Sequence, residues 1–199
     1  MSLAASILTA LGISFWSCEA SKSTLGNFFN ASFCFLLYAM IKIQLIWIGK
    51  TKASFIKKGI EYYERRLRPF VSFEIKEIKD VAKGLSTRHV TVEKIKKKEA
   101  HALAKAVQKS QYVVCLEERG ARFDSKGFSR WLSSLEDRGI STLAFVVGGP
   151  FGLHEEFVSQ SHYSLSLSPM TFTHEMTRLI LMEQLYRAYT IVRNVPYHY

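Results

Sequence analysis

The chain has 199 residues, 48% hydrophobic and 22% charged, with a formal net charge of +10. That is about one domain's worth, with enough apolar side chains for a packed core, and a mean hydropathy near zero excludes a disordered chain. Residues 42–109 carry 18 of the 27 Lys and Arg but only 7 of the 17 Asp and Glu, so the rest of the chain is nearly neutral.

A positive field of this kind attracts polyanions, RNA foremost, although the same lysines also serve solubility alone. Cys18, Cys34 and Cys115 form no CxxC pair and no Cys/His cluster with metal-ligand spacing. No metal is expected, and a reducing cytoplasm fits best.

Residues 1–39 differ in composition from the rest of the chain, with Lys22 their only basic and Glu19 their only acidic residue. The segment lacks the basic start of a signal peptide. Its most apolar run, Phe33 to Ala39, is shorter than the roughly 20 residues a membrane span needs. It reads as a membrane tether, an atypical targeting segment, or upstream codons included by a wrong start. Met40 followed by Ile41–Lys42–Ile43–Gln44–Leu45 resembles a natural beginning, so the working protein is expected to be one domain, 40–199, without a membrane span.

Ile41 to Ile48 is β-branched and apolar and is ended by Gly49–Lys50, which reads as a strand. From Lys52 to Leu67 the positions Phe55, Ile56, Ile60, Tyr63 and Leu67 recur at helical steps, and Pro69 stops the helix. Val71–Ile78 is a second strand, Val90–Gln108 a Lys-rich helix carrying Ile95, Leu103 and Val107, and Tyr112–Leu116 a short buried strand followed by a polar loop, Glu117–Gly120. A helix over Ser125–Leu135 buries Phe128, Trp131, Leu132 and Leu135. Thr142–Val147 is a continuously apolar strand that runs into Gly148–Gly149–Pro150–Phe151–Gly152. A short helix near His154–Gln160, a strand at Tyr163–Leu167 and a helix from about Glu175 to Ile191 complete the chain. Strands apolar on both faces and alternating with helices give an α/β fold, a mostly parallel sheet flanked by helices.

Ligands of such sheets sit beyond the carboxyl ends of the strands, here Leu116–Gly120, Gly148–Gly152 and Leu167–Phe172. The glycine loop is neither GxGxxG nor GxxxxGK[ST], so a phosphate cradle is poorly supported, and a plain turn explains it equally well. No GxSxG elbow points to a nucleophilic serine. His174 stands where the last helix begins, with Thr173 a candidate cap and Glu175 suited to the positive end of the dipole; position alone leaves it structural or functional. That helix is apolar nearly all round, so it lies deep in a core or is shared with a partner, and Arg178, Glu183 and Arg187 on it need partners. The tail Arg193–Tyr199 sets aromatics beside cations, the side chains that stack on unpaired bases.

Four segments, Phe145–Gly152, Leu165–His174, Arg178 with Glu183–Ala188, and Pro196–Tyr197–His198, together strongly resemble the RlmH group of SPOUT methyltransferases, and Ile43–Lys50 fits that group's opening. The resemblance covers Met40 to Tyr199. It implies a C-terminal trefoil knot, a homodimer with the active site near the subunit boundary, and methylation of N3 of a pseudouridine in a 23S ribosomal RNA stem-loop, on the assembled ribosome. S-adenosylmethionine would be held by Leu116, Gly148, Leu167, Ser168, Pro169, Met170, Thr171 and Phe172. The imide proton at N3 must leave as the methyl arrives, which makes His174 and His198 candidates for the base or for its positioners. Arg178 would steady charge on the ring oxygens. Arg193, Tyr197 and His198 would face the substrate. The extension 1–39 is foreign to the group, and Pro150–Phe151 stiffens the loop while leaving its glycines in place. Two other classes compete: a non-catalytic RNA-binding protein, resting on the basic half, and a membrane-tethered protein, resting on residues 1–39.

Overall fold

The computed structural model describes residues 41–81 and 91–197, all within the unit Met40–Tyr199. The expectations for residues 1–39, for a helix start at Val90 and for His198 lie outside the described residues. In chain order the elements are β1 (Lys42–Ile48), α1 (Ser54–Leu67), β2 (Ser72–Ile78), α2 (Val92–Val107), β3 (Tyr112–Arg122), α3 (Ser125–Asp137), β4 (Thr142–Val147), α4 (Glu155–Ser159), β5 (Tyr163–Ser166) and α5 (His174–Val192).

The strands form one five-stranded sheet in the order β2-β1-β4-β3-β5, and every neighbouring pair is parallel. Strand side chains alternate between faces, and both faces are covered, which is why the paired parts of the central strands are mostly apolar. Leu45, Trp47, Phe145 and Val147 meet α1, α3 and α5 in the larger core. Ile46, Ile48, Cys115 and Val146 meet Leu103 of α2 and Phe157 of α4 on the other side. Burial pushes the Cys115 thiol up to about 11, so this cysteine is a small core residue, as its apolar context suggested.

The helices follow from their sequences. Ile56, Ile60 and Leu67 form the buried stripe of α1, and Ile95, Glu99 and Leu103 that of α2. Thr91, Asp124 and Thr173 cap α2, α3 and α5 by accepting hydrogen bonds from the backbone N–H of Lys94, Gly127 and Met176. The all-round apolarity of α5 is explained by its place, packed against both α1 and α3. Glu175 has a second role beyond its helix dipole. Its carboxylate accepts hydrogen bonds from the backbone N–H of Lys52 (3.1 Å) and Ala53 (3.0 Å), at the start of α1, where Ala53 offers no side-chain cap.

One boundary differs from the sequence expectation by more than two residues. β3 does not end at Leu116 but runs to Arg122, and both Leu116 and Ala121 pair with Leu165, so residues 117–120 bulge from the ladder. Gly120 permits this, because a Cβ there would lie 2.6 Å from the Leu165 carbonyl carbon. The bulge turns a strand into a wall and carries Glu117 and Glu118 to the sheet edge. No described helix is long and apolar enough to cross a membrane.

Candidate functional site

A cavity of about 560 Å³ opens at the carboxyl ends of β3, β4 and β5. Leu116, Glu117 and Glu118 form one side, the loop from Gly148 to Leu153 a second, and the segment from Leu165 to Thr173 a third. His174 and Thr177 of α5 and Lys96 of α2 complete it. Such a volume suits a ligand of nucleoside size.

The glycine loop is held by its own backbone: Gly152 N–H donates to the Gly149 carbonyl at 3.0 Å. A Cβ on Gly148 would stand 2.8 Å from the Gly152 carbonyl carbon and 2.9 Å from the Leu153 nitrogen, so no side chain fits there without moving backbone. The third side is fixed in a similar way. Ser166 Oγ donates to the Ser168 carbonyl (3.0 Å), and Ser168 Oγ accepts from the Met170 N–H (2.9 Å). Thr171 Oγ1 donates to Glu118 Oε2 at 3.3 Å, tying this segment to the bulge of β3. Met170, Phe151 and Phe172 are exposed large apolar side chains on these walls, with Met170 73% exposed.

The residues fit S-adenosylmethionine. Exposed Met and Phe side chains and free backbone suit an adenine ring, Glu117 and Glu118 suit hydroxyls or a positive charge, and Lys96 suits a carboxylate. Of the eight residues that the resemblance pointed to for this cofactor, Leu116, Gly148, Leu167, Ser168, Met170, Thr171 and Phe172 line the cavity; Pro169 does not.

His174 lies half-buried on the same wall, as the first residue of α5. Burial and then the nearby Arg178 charge hold its imidazole below the ordinary histidine value, so the ring is neutral at pH 7. Arg178 is placed otherwise than expected. It is fully buried, does not line the cavity, and donates from Nη2 to the Ile48 carbonyl (2.7 Å) and from Nη1 to Thr51 Oγ1 (2.8 Å). Its guanidinium also lies 5.0 Å from the centre of the Trp47 ring. A side chain so enclosed holds α5 against the end of β1 and has no open path to a substrate.

The tail is also placed elsewhere. Arg193 is the C-cap residue of α5, about 28 Å along the helix from His174. Tyr197 folds back on α5, its ring edge-on to Tyr186 with centroids 4.7 Å apart and its hydroxyl 3.3 Å from Glu183 Oε1. Arg187 pairs with Glu183 through Nε at 3.0 Å and lies 4.8 Å from the Tyr197 ring, so two of the charges on α5 that needed partners meet each other. Within one chain, neither Arg193 nor Tyr197 lines the cavity.

Sequence reading did not single out Lys96 and Thr177. Lys96 is hidden in a lysine run, and only its half-buried position at the edge of the α2 core stripe separates it from its neighbours. Thr177 lies three residues after His174, one helical turn on, which is a usable signal once His174 is placed.

Comparison with known proteins agrees with this geometry. A family model described as predicted SPOUT methyltransferase matches residues 41–198. The ribosomal RNA large subunit methyltransferase H of Halothermothrix orenii is 38% identical over 158 residues, covering 79% of this chain and 99% of that protein. The protein of the same name from Christiangramia forsetii is 40% identical over 157 residues, covering 79% and 98%. Among solved structures, a probable methylase family protein from Haemophilus influenzae superposes with a TM-score of 0.50 at 13% identity, covering 79% of this chain and 70% of that one. That last likeness concerns the fold alone. With the family model over nearly all of residues 40–199 and relatives near 40% identity over their full length, the chain belongs to the SPOUT methyltransferases, in the ribosomal RNA large subunit methyltransferase H family.

Proposed function

We propose that the protein transfers a methyl group from S-adenosylmethionine to N3 of a pseudouridine in the large-subunit ribosomal RNA, acting on the assembled ribosome as a homodimer. The observation that carries this reading is the gathering of seven of the eight expected cofactor residues, with His174 beside them, on one cavity at the strand ends.

S-adenosylmethionine, when bound, supplies an electrophilic methyl on a sulfonium. The protein's own residues have three tasks. The glycine loop and the 165–173 segment hold the donor through backbone and apolar contact. The neutral imidazole of His174 accepts the N3 proton as the new carbon–nitrogen bond forms, and its lowered basicity keeps it free to do so at neutral pH. Arg178 is a positioning residue that fixes the first turn of α5 and hence His174.

A homodimer is supported by the separation along α5. Arg193 lies about one helix length from His174, and Tyr197 packs on Tyr186 about three turns along α5, so they meet a substrate at His174 only if a second copy lays its α5 end over the cavity. The exposed Met170, Phe151 and Phe172 around the cavity are the apolar rim such a copy would cover. The trefoil knot belongs to this reading through the likeness to SPOUT methyltransferases, and the return of α5 from β5 at one edge to the end of β1 near the other is compatible with it.

The test is incubation of the protein and labelled S-adenosylmethionine with ribosomes from a strain lacking this methylation, followed by mass-spectrometric mapping. One labelled methyl on the N3 of a large-subunit pseudouridine is expected. Label on a ribose, on small-subunit RNA or on no RNA overturns the reading.

A further inference from the structure

The outward face of α2 carries Lys94, Lys97, Lys98, His101 and Lys105, all exposed. Their spacing of three and four residues sets them in one stripe about 16 Å long, opposite the buried Ile95, Glu99 and Leu103. No carboxylate among the described residues forms an ion pair with any of these side chains. Glu93, the exposed acid of the first turn, is engaged by His154 Nε2 at 2.8 Å. Lys94 lies one turn from both Lys97 and Lys98, and like charges at that spacing destabilise a helix. A polyanion laid along the stripe removes that repulsion. The contrast with α3 is sharp: Lys126, Arg130 and Arg138 there are interspersed with Asp124, Glu136 and Asp137. The same α2 also supplies Lys96 to the cavity wall, so one helix carries both the stripe and part of the site.

We propose that this face of α2 is a docking surface for ribosomal RNA phosphates, which guides the RNA flanking the target nucleotide past the cavity. The proposal rests on the rRNA methyltransferase reading and adds to it the surface that sets affinity for the ribosome. Backbone contacts of this kind orient an RNA and carry no base specificity. The surface therefore acts on binding and leaves the chemical step alone.

The experiment compares the full-length wild type with K94A/K98A/K105A and with K126A/R130A/R138A, a variant with the same change of charge on α3. Thermal midpoints and S-adenosylmethionine affinity by calorimetry report folding and the cofactor site. Steady-state methylation of undermethylated ribosomes is then measured across monovalent salt. For the α2 variant, KM for ribosomes should rise at least about tenfold while kcat stays within about twofold, and the slope of log kcat/KM against log salt should flatten by about 2 to 3, close to one per lost phosphate contact. The α3 variant should stay near wild type. Equal loss in both variants means that only net charge matters and overturns the proposal, as does an unchanged KM and slope in the α2 variant. Loss by the α2 variant of binding to vesicles of anionic phospholipid, with ribosome kinetics intact, assigns the stripe to a membrane and overturns it too. Failure of the wild type itself to methylate ribosomes defeats the enzyme reading, which is a separate outcome.

Discussion

Arg178 Nη2 donates a 2.7 Å hydrogen bond to the carbonyl oxygen of Ile48, the last residue of β1, across 130 residues of sequence. With Nη1 on Thr51 and the ring of Trp47 under the guanidinium, it joins α5 to the sheet at the strand end where the site opens. Arg178→Ala leaves the Ile48 carbonyl and Thr51 hydroxyl without this partner in a closed space. Unfolding free energy should fall by about 2–4 kcal/mol. Arg178→Lys keeps the charge but loses the planar fork, and should recover only part of the loss. Urea denaturation followed by circular dichroism measures both; an Ala variant as stable as wild type would remove Arg178 from its place in the fold.

His174 should set the acid limb of the pH profile. A base must be unprotonated to accept the N3 proton, so kcat/KM falls as pH drops through the His174 pKa. Burial and the Arg178 charge lower that pKa, so the inflection should lie below the ordinary histidine value of about 6.5, with a plateau at neutral pH. His174→Ala should lose the limb and reduce kcat by about 10²- to 10⁴-fold, with cofactor affinity little changed. A profile of unchanged shape in that variant would assign the base elsewhere.

Glu99 gives a stability dependence of the opposite sense to that of most carboxylates. It is 3% exposed, and its Oε1 has no hydrogen-bond partner among the described residues. Burial raises its pKa and the Asp80 charge adds to that, against a hydrogen bond from the backbone of Val81. The folded protein therefore holds this proton more tightly than the unfolded chain does. Its stabilising contribution is complete below the unfolded-state pKa and is lost as pH rises through the folded-state pKa. Glu99→Gln carries a neutral group of the same shape, so its advantage over wild type in thermal midpoint should grow with increasing pH. Because Glu99 Oε2 lies behind Gly149, 3.5 Å from where a Cβ would be, the same variant should preserve cofactor affinity at high pH. A midpoint difference independent of pH would show that folding leaves the Glu99 pKa unshifted.

The fold was largely legible in the sequence because its signals are local. β4 is apolar from Leu143 to Val147 and β1 is apolar but for Lys42 and Gln44, α1 and α3 have clean stripes, and Thr173 is a cap with a helix behind it. The bulge at 117–120 was not legible: it depends on Leu165 pairing with two residues five apart, a relation set by a strand about 45 residues downstream. Strand ends are where parallel sheets bind ligands, and Leu116, Gly148 and all of the 167–172 segment but Pro169 line the cavity there. The placement of Arg178 was not legible, for a physical reason. An arginine one turn from a candidate base looks the same in sequence whether its side chain reaches the cavity or turns into the core, and only the open carbonyl of Ile48 decides between them. Lys96 was lost among lysines of the same helix, since burial rather than residue type distinguishes it.

The two ends of α5 provide the last prediction. His174 begins this helix and lines the cavity, whereas Arg193 closes it and Tyr197 folds back on Tyr186. A site composed of His174 from one copy and Arg193 from another makes the two positions complement each other in trans. Arg193→Ala should then be as inactive toward ribosomes as His174→Ala while binding cofactor normally. Mixing the two inactive proteins under conditions of subunit exchange produces mixed dimers in which one site carries both substitutions and the other carries neither. Half of the dimers are mixed at equal input, and half of their sites are intact, so activity should return to about a quarter of wild type. Methyl transfer to undermethylated ribosomes after exchange, with light scattering to confirm the dimer, measures this. If both residues act within one chain, every site in the mixture carries a substitution, and no activity returns.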